Sequence, residues 1–415
     1  MSSFLRQRSI YATEDRIVFD IGSIYIKCGF SNEPQPRHIL PTCTPIAYAD
    51  STEGCRIGGK LEPLWDLNIT PTELGYMRRR LSQVLRDAYY KYLLIDPKTR
   101  KVILCESPLL PLPIKQTIAD ILFTELEIPS LTFVPSPLAA LLTVGKLTGL
   151  VIDCGNLETS IVPIYEGRPL IYYIESLPLA GRSITERLKL LVKHHGRLLQ
   201  HEDEESDVLL PEDLLDSLPL DFWEEIKAQM CLVGDRPSAT DIVDGTTSRT
   251  TAGEYTHMQY HSSATSMVHR INVTDRMWVP GWVRERATEV LFEGDDDARS
   301  IATIVADVML KCPADIRTEL AQTILLIGGT SMLPGFQRRL QEEIMHALED
   351  LKQYQKLRRL AIKVKIVQSV FAPNSMAWVG GSLAGALKVG GKEILRTAPS
   401  IPDWTHLPNG AEAER

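Results

Sequence analysis

One short arrangement occurs twice, and it limits the possible folds more than any other feature of the chain. Ile17, Val18 and Phe19 run into Asp20, then Gly22 and Ser23 make a tight turn, and Ile24, Tyr25 and Ile26 lead back. Leu150, Val151 and Ile152 run into Asp153, then Gly155 and Asn156 turn, and residues 159–164 return. Apolar runs on either side of an Asp/Gly turn predict a β-hairpin in each case. Asp and Gly are also the commonest turn residues, so either copy alone predicts only an ordinary hairpin. The repeat in one register carries more. An acid ending a buried strand beside a glycine turn offers backbone N–H groups to a phosphate and a carboxylate to the cation on that phosphate. Two such turns facing each other predict a nucleotide held between two lobes.

The length permits this, since 415 residues suffice for two substantial cores. A formal net charge of -8 argues against nucleic acid or an anionic membrane surface as the main partner. No apolar run is long enough to span a bilayer, and the N-terminal stretch lacks an apolar core of signal-peptide length. The seven cysteines (Cys28, Cys43, Cys55, Cys105, Cys154, Cys231 and Cys312) are odd in number and scattered. That fits a reducing compartment, cytosol or nucleus. Arg78, Arg79 and Arg80 fall inside a helical pattern and are expected on a solvated face.

Thr70, Pro71 and Glu73 predict a capping box with proline at the first helical position, followed by Leu74, Met77, Leu81, Val84, Leu85 and Ala88 at helical spacing. Strands are expected at 36–40, 101–105, 131–134, 323–327 and 362–367, and helices at 114–126, 136–144 and 374–387, with a long helix carrying Leu340, Ile344 and Leu348. Strand and helix alternate as in a sheet with crossover connections. Ser183 with Glu186, and Asp221 with Glu224, predict two further helix starts, the first helix running to Leu199. Residues 235–266 are rich in Thr, Ser, Gly, Asp and His and read as an exposed, mobile insertion. His194, His195, His257, His261 and His269 lack acids or cysteines at ligand spacing and are expected to be solvated.

The motifs DIGSIYIKCGF at 20–30, VIDCG at 151–155, LAGRSITERL at 179–188, IKAQMCLV at 226–233, KCPADIR at 311–317, GGTSMLPGF at 328–336 and WVGGSLAGAL at 378–387 resemble the actin family in order and separation. The resemblance covers nearly the whole chain. It implies an α/β, actin-like (ribonuclease-H-like) two-lobed fold with a nucleotide cleft between the lobes. The implied subdivision is 1–41, 70–143 and 376–415 for the first subdomain and 42–69 for a shortened second. Residues 144–180 and 296–375 form the third, and 181–295, with the insertion at 235–266, the fourth.

The resemblance also implies roles. Asp20 and Asp153 stand where the family holds a divalent cation through water, and Lys27 where a lysine meets phosphate. Gly22, Ser23 and Gly155 stand where backbone meets phosphates, and Gly181, Lys227, Gly328, Gly329, Thr330 and Met332 around the nucleoside. ATP or ADP with a divalent cation is the implied cofactor. Read alone, Lys227 is an ordinary solvated lysine. Several positions depart from the pattern. Ile24 and Leu157 replace loop glycines, Ala228 an acid that would hold the ribose, and Asn374 a lysine near the base. Ser136, Asn156 and Ser160 replace the groups that orient the attacking water, leaving no catalytic residue and implying at best a very slow ATPase. Ser136 is also expected as the N-cap of the helix that follows it.

Within the family the chain is most similar to the actin-related proteins of the dynactin pointed end. Segments that carry this include DPKTRKVILCESPL, FVPSPLAALLTVGKLTG, VPIYEG and IPDW. The resemblance implies a non-enzymatic structural subunit that caps the short actin-like filament of dynactin and supports dynein-driven transport on microtubules. Its partners would be actin and actin-related subunits of that filament, other pointed-end dynactin subunits and, indirectly, dynein, in the cytoplasm and cytoskeleton. Neither nucleic acid nor direct membrane insertion is implied. The excursion at 41–68 is shorter than its actin counterpart, which suits a subunit that ends a filament. A slow actin-like ATPase, or a nuclear actin-related subunit of a chromatin-remodelling complex, fits the family resemblance too.

Overall fold

The computed structural model describes residues 16–43, 60–199, 209–236, 264–271, 275–293, 299–387, 391, 393–397 and 401. Much of the proposed insertion, His257, His261, Cys55 and most of IPDW lie outside the described residues. The chain divides into two compact units, the first made of Met1–Thr42, Pro63–Lys146 and Ser375–Arg415, the second of Cys43–Glu62 and Leu147–Asn374.

The first unit opens with β1 (Ile17–Ile21), β2 (Tyr25–Phe30) and β3 (His38–Pro41). Helix α1 (Pro71–Asp87) starts on the expected capping box, with Thr70 and Glu73 each satisfying the other's backbone N–H. It buries Met77, Leu81 and Leu85 and runs into a π-turn at Ala88–Tyr92, where buried Tyr89 meets Phe19 with ring centroids 5.7 Å apart. Then come β4 (Val102–Glu106), α2 (Leu112–Asp120), β5 (Ser130–Pro135) and α3 (Ser136–Thr143). Strand β1 pairs antiparallel with β2 and parallel with β4, so its apolar residues are covered on both sides.

The second unit begins with the other hairpin, β6 (Gly149–Cys154) and β7 (Thr159–Tyr165), followed by β8 (Arg168–Pro169) and β9 (Glu175–Leu177), both paired to β7. Helix α4 (Gly181–His195), β10 (Arg197–Leu199), α5 (Glu212–Ser217) and α6 (Leu220–Met230) come next. Strands β11 (Met267–Arg270) and β12 (Arg276–Val279) join β10 in a small sheet. Helices α7 (Gly281–Arg286), α8 (Val290–Glu293), α9 (Ile301–Lys311) and α10 (Arg317–Gln322) precede β13 (Ile324–Ile327) and α11 (Phe336–Asp350). Strand β6 repeats the position of β1, antiparallel to its hairpin partner β7 and parallel to β13.

The chain returns to the first unit with α12 (Met376–Leu387) and β14 (Glu393–Leu395), the latter antiparallel to β5. Its sheet order is β14-β5-β4-β1-β2-β3. Helix α12 lies so close to α3 that a Cβ on Gly380 would be 1.8 Å from the Ala139 carbonyl oxygen, and one on Gly381 2.3 Å from the Cys105 sulfur. The indole N–H of buried Trp378 donates to the Val18 carbonyl at 2.9 Å, fastening α12 to β1.

Several expectations are corrected. Helix α4 ends at His195, and residues 197–199 are a strand. Neither α4 nor α6 has a side-chain cap: α4 starts ahead of Ser183, whose hydroxyl donates to the Pro178 carbonyl, and Glu224 turns inward to Lys227. Ser136 is the first helical residue of α3, after an extended Pro135, and makes no capping bond. The strand expected at 362–367 is one bridge, Ile366 to Ile324, because 3-10 turns occupy Lys352–Lys363. Strand β14 has no counterpart in the sequence reading. Arg80 is buried rather than solvated, and donates to the carbonyls of Thr42 and Pro63, each at 2.8 Å.

Gly380→Ala is expected to destabilise the protein by about 3 kcal/mol, since the methyl has only backbone to displace. Gly75→Ala, on an exposed turn of α1 with nothing near its Cβ, should stabilise by up to about 1 kcal/mol. Thermal unfolding of the two variants should therefore move in opposite directions.

Candidate functional site

Each hairpin turn is closed by the same kind of hydrogen bond. The Gly22 N–H donates to the Tyr25 carbonyl at 2.9 Å, and the Gly155 N–H to the Glu158 carbonyl at 3.2 Å. In each, the acid stands opposite a residue of the returning strand: Asp20 faces Lys27, and Asp153 faces Ser160. Here the halves part. Lys27 donates to Asp20 at 2.7 Å, each side chain 15% exposed, whereas the buried Ser160 brings no charge to Asp153.

The first turn is braced from behind. Thr42 donates from its N–H and its hydroxyl to the Ile24 carbonyl, at 2.8 and 2.9 Å, and the Leu64 N–H donates to the Ser23 carbonyl at 2.6 Å. Arg80 holds Thr42 in turn through its carbonyl. Gly22 is needed here, because a Cβ would be 3.0 Å from the Tyr25 oxygen.

The second turn is built into a knot. The Gly155 carbonyl accepts from the Thr330 hydroxyl at 2.7 Å and from the Gly181 N–H at 3.2 Å, and the Asn156 carbonyl accepts from the Arg182 N–H at 2.8 Å. These carbonyls take over the first N–H groups of α4, which explains how that helix starts without a capping side chain. Gly181 fits only without a side chain, as its Cβ would be 2.9 Å from the Thr330 oxygen and 3.3 Å from the Lys227 nitrogen. Gly328 has φ +92, and a Cβ there would be 2.2 Å from the Cys154 carbonyl oxygen and 2.8 Å from the Asp153 carboxylate.

Lys227 is not solvated. Its ammonium donates to the Gly181 carbonyl at 3.1 Å, the Thr185 hydroxyl at 2.9 Å and Glu224 at 2.6 Å, which uses its three hydrogens. The second unit thus brings together Asp153, Gly155, Gly181, Lys227, Gly328 and Thr330 from four segments. Gly329 and half-exposed Met332 lie on the turn beside them, where a Cβ on Gly329 would meet nothing within 4 Å. Asp20, Gly22, Ser23 and Lys27 are gathered on the hairpin of the first unit. Thr185, Glu224, Thr42 and Arg80 were missed. The signal for the first two was spacing, Thr185 four residues after Gly181 and Glu224 three before Lys227.

Among the departures, Ile24 and Leu157 are buried, 4% and 8% exposed, so neither projects from its loop into solvent. Ala228 is exposed on α6, and Asn374 follows Pro373, whose carbonyl accepts from the Gly328 N–H. His195 packs edge-on against Trp282 and His269 against Phe222, so these two are partly packed rather than fully solvated. No cluster of potential metal ligands occurs among the described residues, and no described helix is long and apolar enough to cross a membrane.

This duplicated hairpin, with its acids and its glycine turns, defines a nucleotide-binding fold, and the chain belongs to the actin family, which it matches over residues 12–392. It is similar to Actin-related protein 10 of Dictyostelium discoideum, 28% identical, over 96% of this chain and 90% of that protein. It also resembles Actin-related protein 2 of Acanthamoeba castellanii, at 27% identity over 79% of the chain and 80% of the relative, and Putative actin-29 of Dictyostelium discoideum, at 24% over 89% and 90%. The family binds a nucleotide with a divalent cation. The residues present fit that group: Asp20 and Asp153 stand one residue before the ends of β1 and β6, a glycine follows each strand, and open space adjoins Gly329.

Glu158, at the second turn, gives this half-site a pH dependence. Burial raises its carboxyl above the ordinary 4.5, and the hydrogen bond from Ser176 pulls the other way. The fold therefore binds this proton more tightly than the unfolded chain, and this contribution to stability is lost as pH rises through the folded pKa. Glu158→Gln should melt higher than wild type at neutral pH, with the gap closing as pH falls below the ordinary carboxylate range. A gap that does not change with pH would contradict this.

Proposed function

We propose that the chain is a non-enzymatic structural subunit capping the pointed end of the actin-like filament of dynactin, with ATP and its divalent cation as a fixed structural ligand. The reading is supported by the acids and glycines kept at both hairpin turns, and by Ser136, Asn156 and Ser160 standing where the resemblance implies water-orienting groups. Asp20 and Lys27 would meet phosphate and cation from the first unit. Asp153, Gly155 and the Gly328–Thr330 turn would do so from the second. Bound nucleotide would supply phosphate oxygens and a cation to such groups. Ser136, a buried first-turn residue of α3, and Ser160, opposite Asp153, carry only short hydroxyls, and Asn156 carries no charge. Phosphoryl transfer depends on positioning, so their loss should cost about two to four powers of ten in rate.

Similarity to a protein named Actin-related protein 10 supports the narrower assignment. The short excursion at 41–68 supports a terminating role. Head-to-tail association makes an open filament unless one subunit lacks half the contact, and such a subunit ends it. Actin and actin-related subunits, other pointed-end proteins and, through them, dynein are the expected partners.

Denaturing freshly purified protein and identifying the released nucleotide tests the site. About one ATP per chain is expected; ADP would mean that hydrolysis persists, and an empty protein would remove the nucleotide from the proposal. Asp153→Ala should lower the bound nucleotide severalfold. For the assembly role, one copy per filament end is expected, and self-assembly of the purified chain into filaments would overturn it.

A further inference from the structure

Glu224 brings a carboxylate to Gly181, Thr185 and Lys227, and among the described residues half of it is unused. Its Oε1 accepts from Lys227 at 2.6 Å and lies 2.9 Å from the Thr185 hydroxyl. Its Oε2 has no partner among the described residues and is not one of the buried polar atoms left without one. The side chain is 13% exposed and fixed at its other oxygen. A carboxylate accepts hydrogen bonds and donates none, so an oriented oxygen open to solvent suits a ligand that brings hydroxyl or N–H groups.

Position narrows the ligand part. Glu224 bonds Lys227, Lys227 bonds the Gly181 carbonyl, and Gly181 bonds the Gly155 carbonyl of the turn assigned to phosphate. In a nucleotide, the group next to the phosphates is the sugar, whose vicinal hydroxyls are donors. The acid that the family pattern places at 228 is Ala228 here. Residues 224 and 228 are one turn apart on α6 and share a face.

We propose that Glu224 holds the ribose hydroxyls of the bound nucleotide, supplying from one turn earlier the carboxylate absent at Ala228. This rests on the nucleotide-binding reading above. It makes Glu224 a specificity residue that distinguishes ribose from deoxygenated sugars, with Lys227 and Thr185 holding it in place. A hydrogen bond to a charged group is worth about tenfold or more in affinity.

The test is displacement of radiolabelled ATP, in the presence of magnesium, from the full-length protein by ATP or by 2′,3′-dideoxy-ATP. Wild type should prefer ATP by about tenfold or more. Glu224→Gln, whose amide oxygen still accepts from Lys227, should cut that preference severalfold, and Ala228→Glu in the same chain should restore it. Wild-type binding of ATP with no preference, or an equal preference in Glu224→Gln, would overturn this role and leave the nucleotide reading intact. No binding of ATP by wild type would overturn both.

Discussion

The carbonyl of Gly155 is the point on which the second unit turns. It uses two acceptor positions, one for the Thr330 hydroxyl and one for the Gly181 N–H. Those partners belong to the turn after β13 and to the start of α4, so one peptide group joins three segments far apart in sequence. Each bond adds only about 1 kcal/mol net, but a buried carbonyl stripped of partners costs about 1–3 kcal/mol. The geometry is therefore enforced more by the penalty of misplacement than by attraction. The close approach requires glycine at 181, and the shape of the knot follows from what that position lacks.

The same hairpin serves twice with different electrical content. In the first unit the strand-end acid is neutralised across the ladder by Lys27; in the second the opposing residue is Ser160. Asp20 is held by an ammonium across its ladder, and the residue across from Asp153 offers a hydroxyl. The two turns thus carry different side chains across the same ladder position.

The hairpins, the capping box of α1 and the parallel strands were readable in the sequence because local pattern decides them. Thr70 and Glu73 need only each other. The starts of α4 and α6 were misread because the same local pattern was present but tertiary groups had taken its place: turn carbonyls hold the α4 amides, and Glu224 is drawn to Lys227. Lys227 was legible as a position in the family and illegible as chemistry, since its three acceptors come from 181, 185 and 224. Strand β14 has only three residues, with Ile394 alone buried, and such a segment has no period to detect.

Arg80 closes the argument at the other unit. Its guanidinium binds the carbonyl of Thr42, where the chain leaves for 43–62, and that of Pro63, where it comes back. A ladder contact between Cys43 and Leu61 joins the same two strands of chain. With Thr42 and Pro63 pinned, the entropic cost of joining them depends only weakly on how many residues lie between, about 0.6 kcal/mol for each doubling. Insertion or deletion there leaves the hairpin turn behind it undisturbed. The number of residues between the two anchors can change at small cost, while Arg80 keeps the anchors themselves in place.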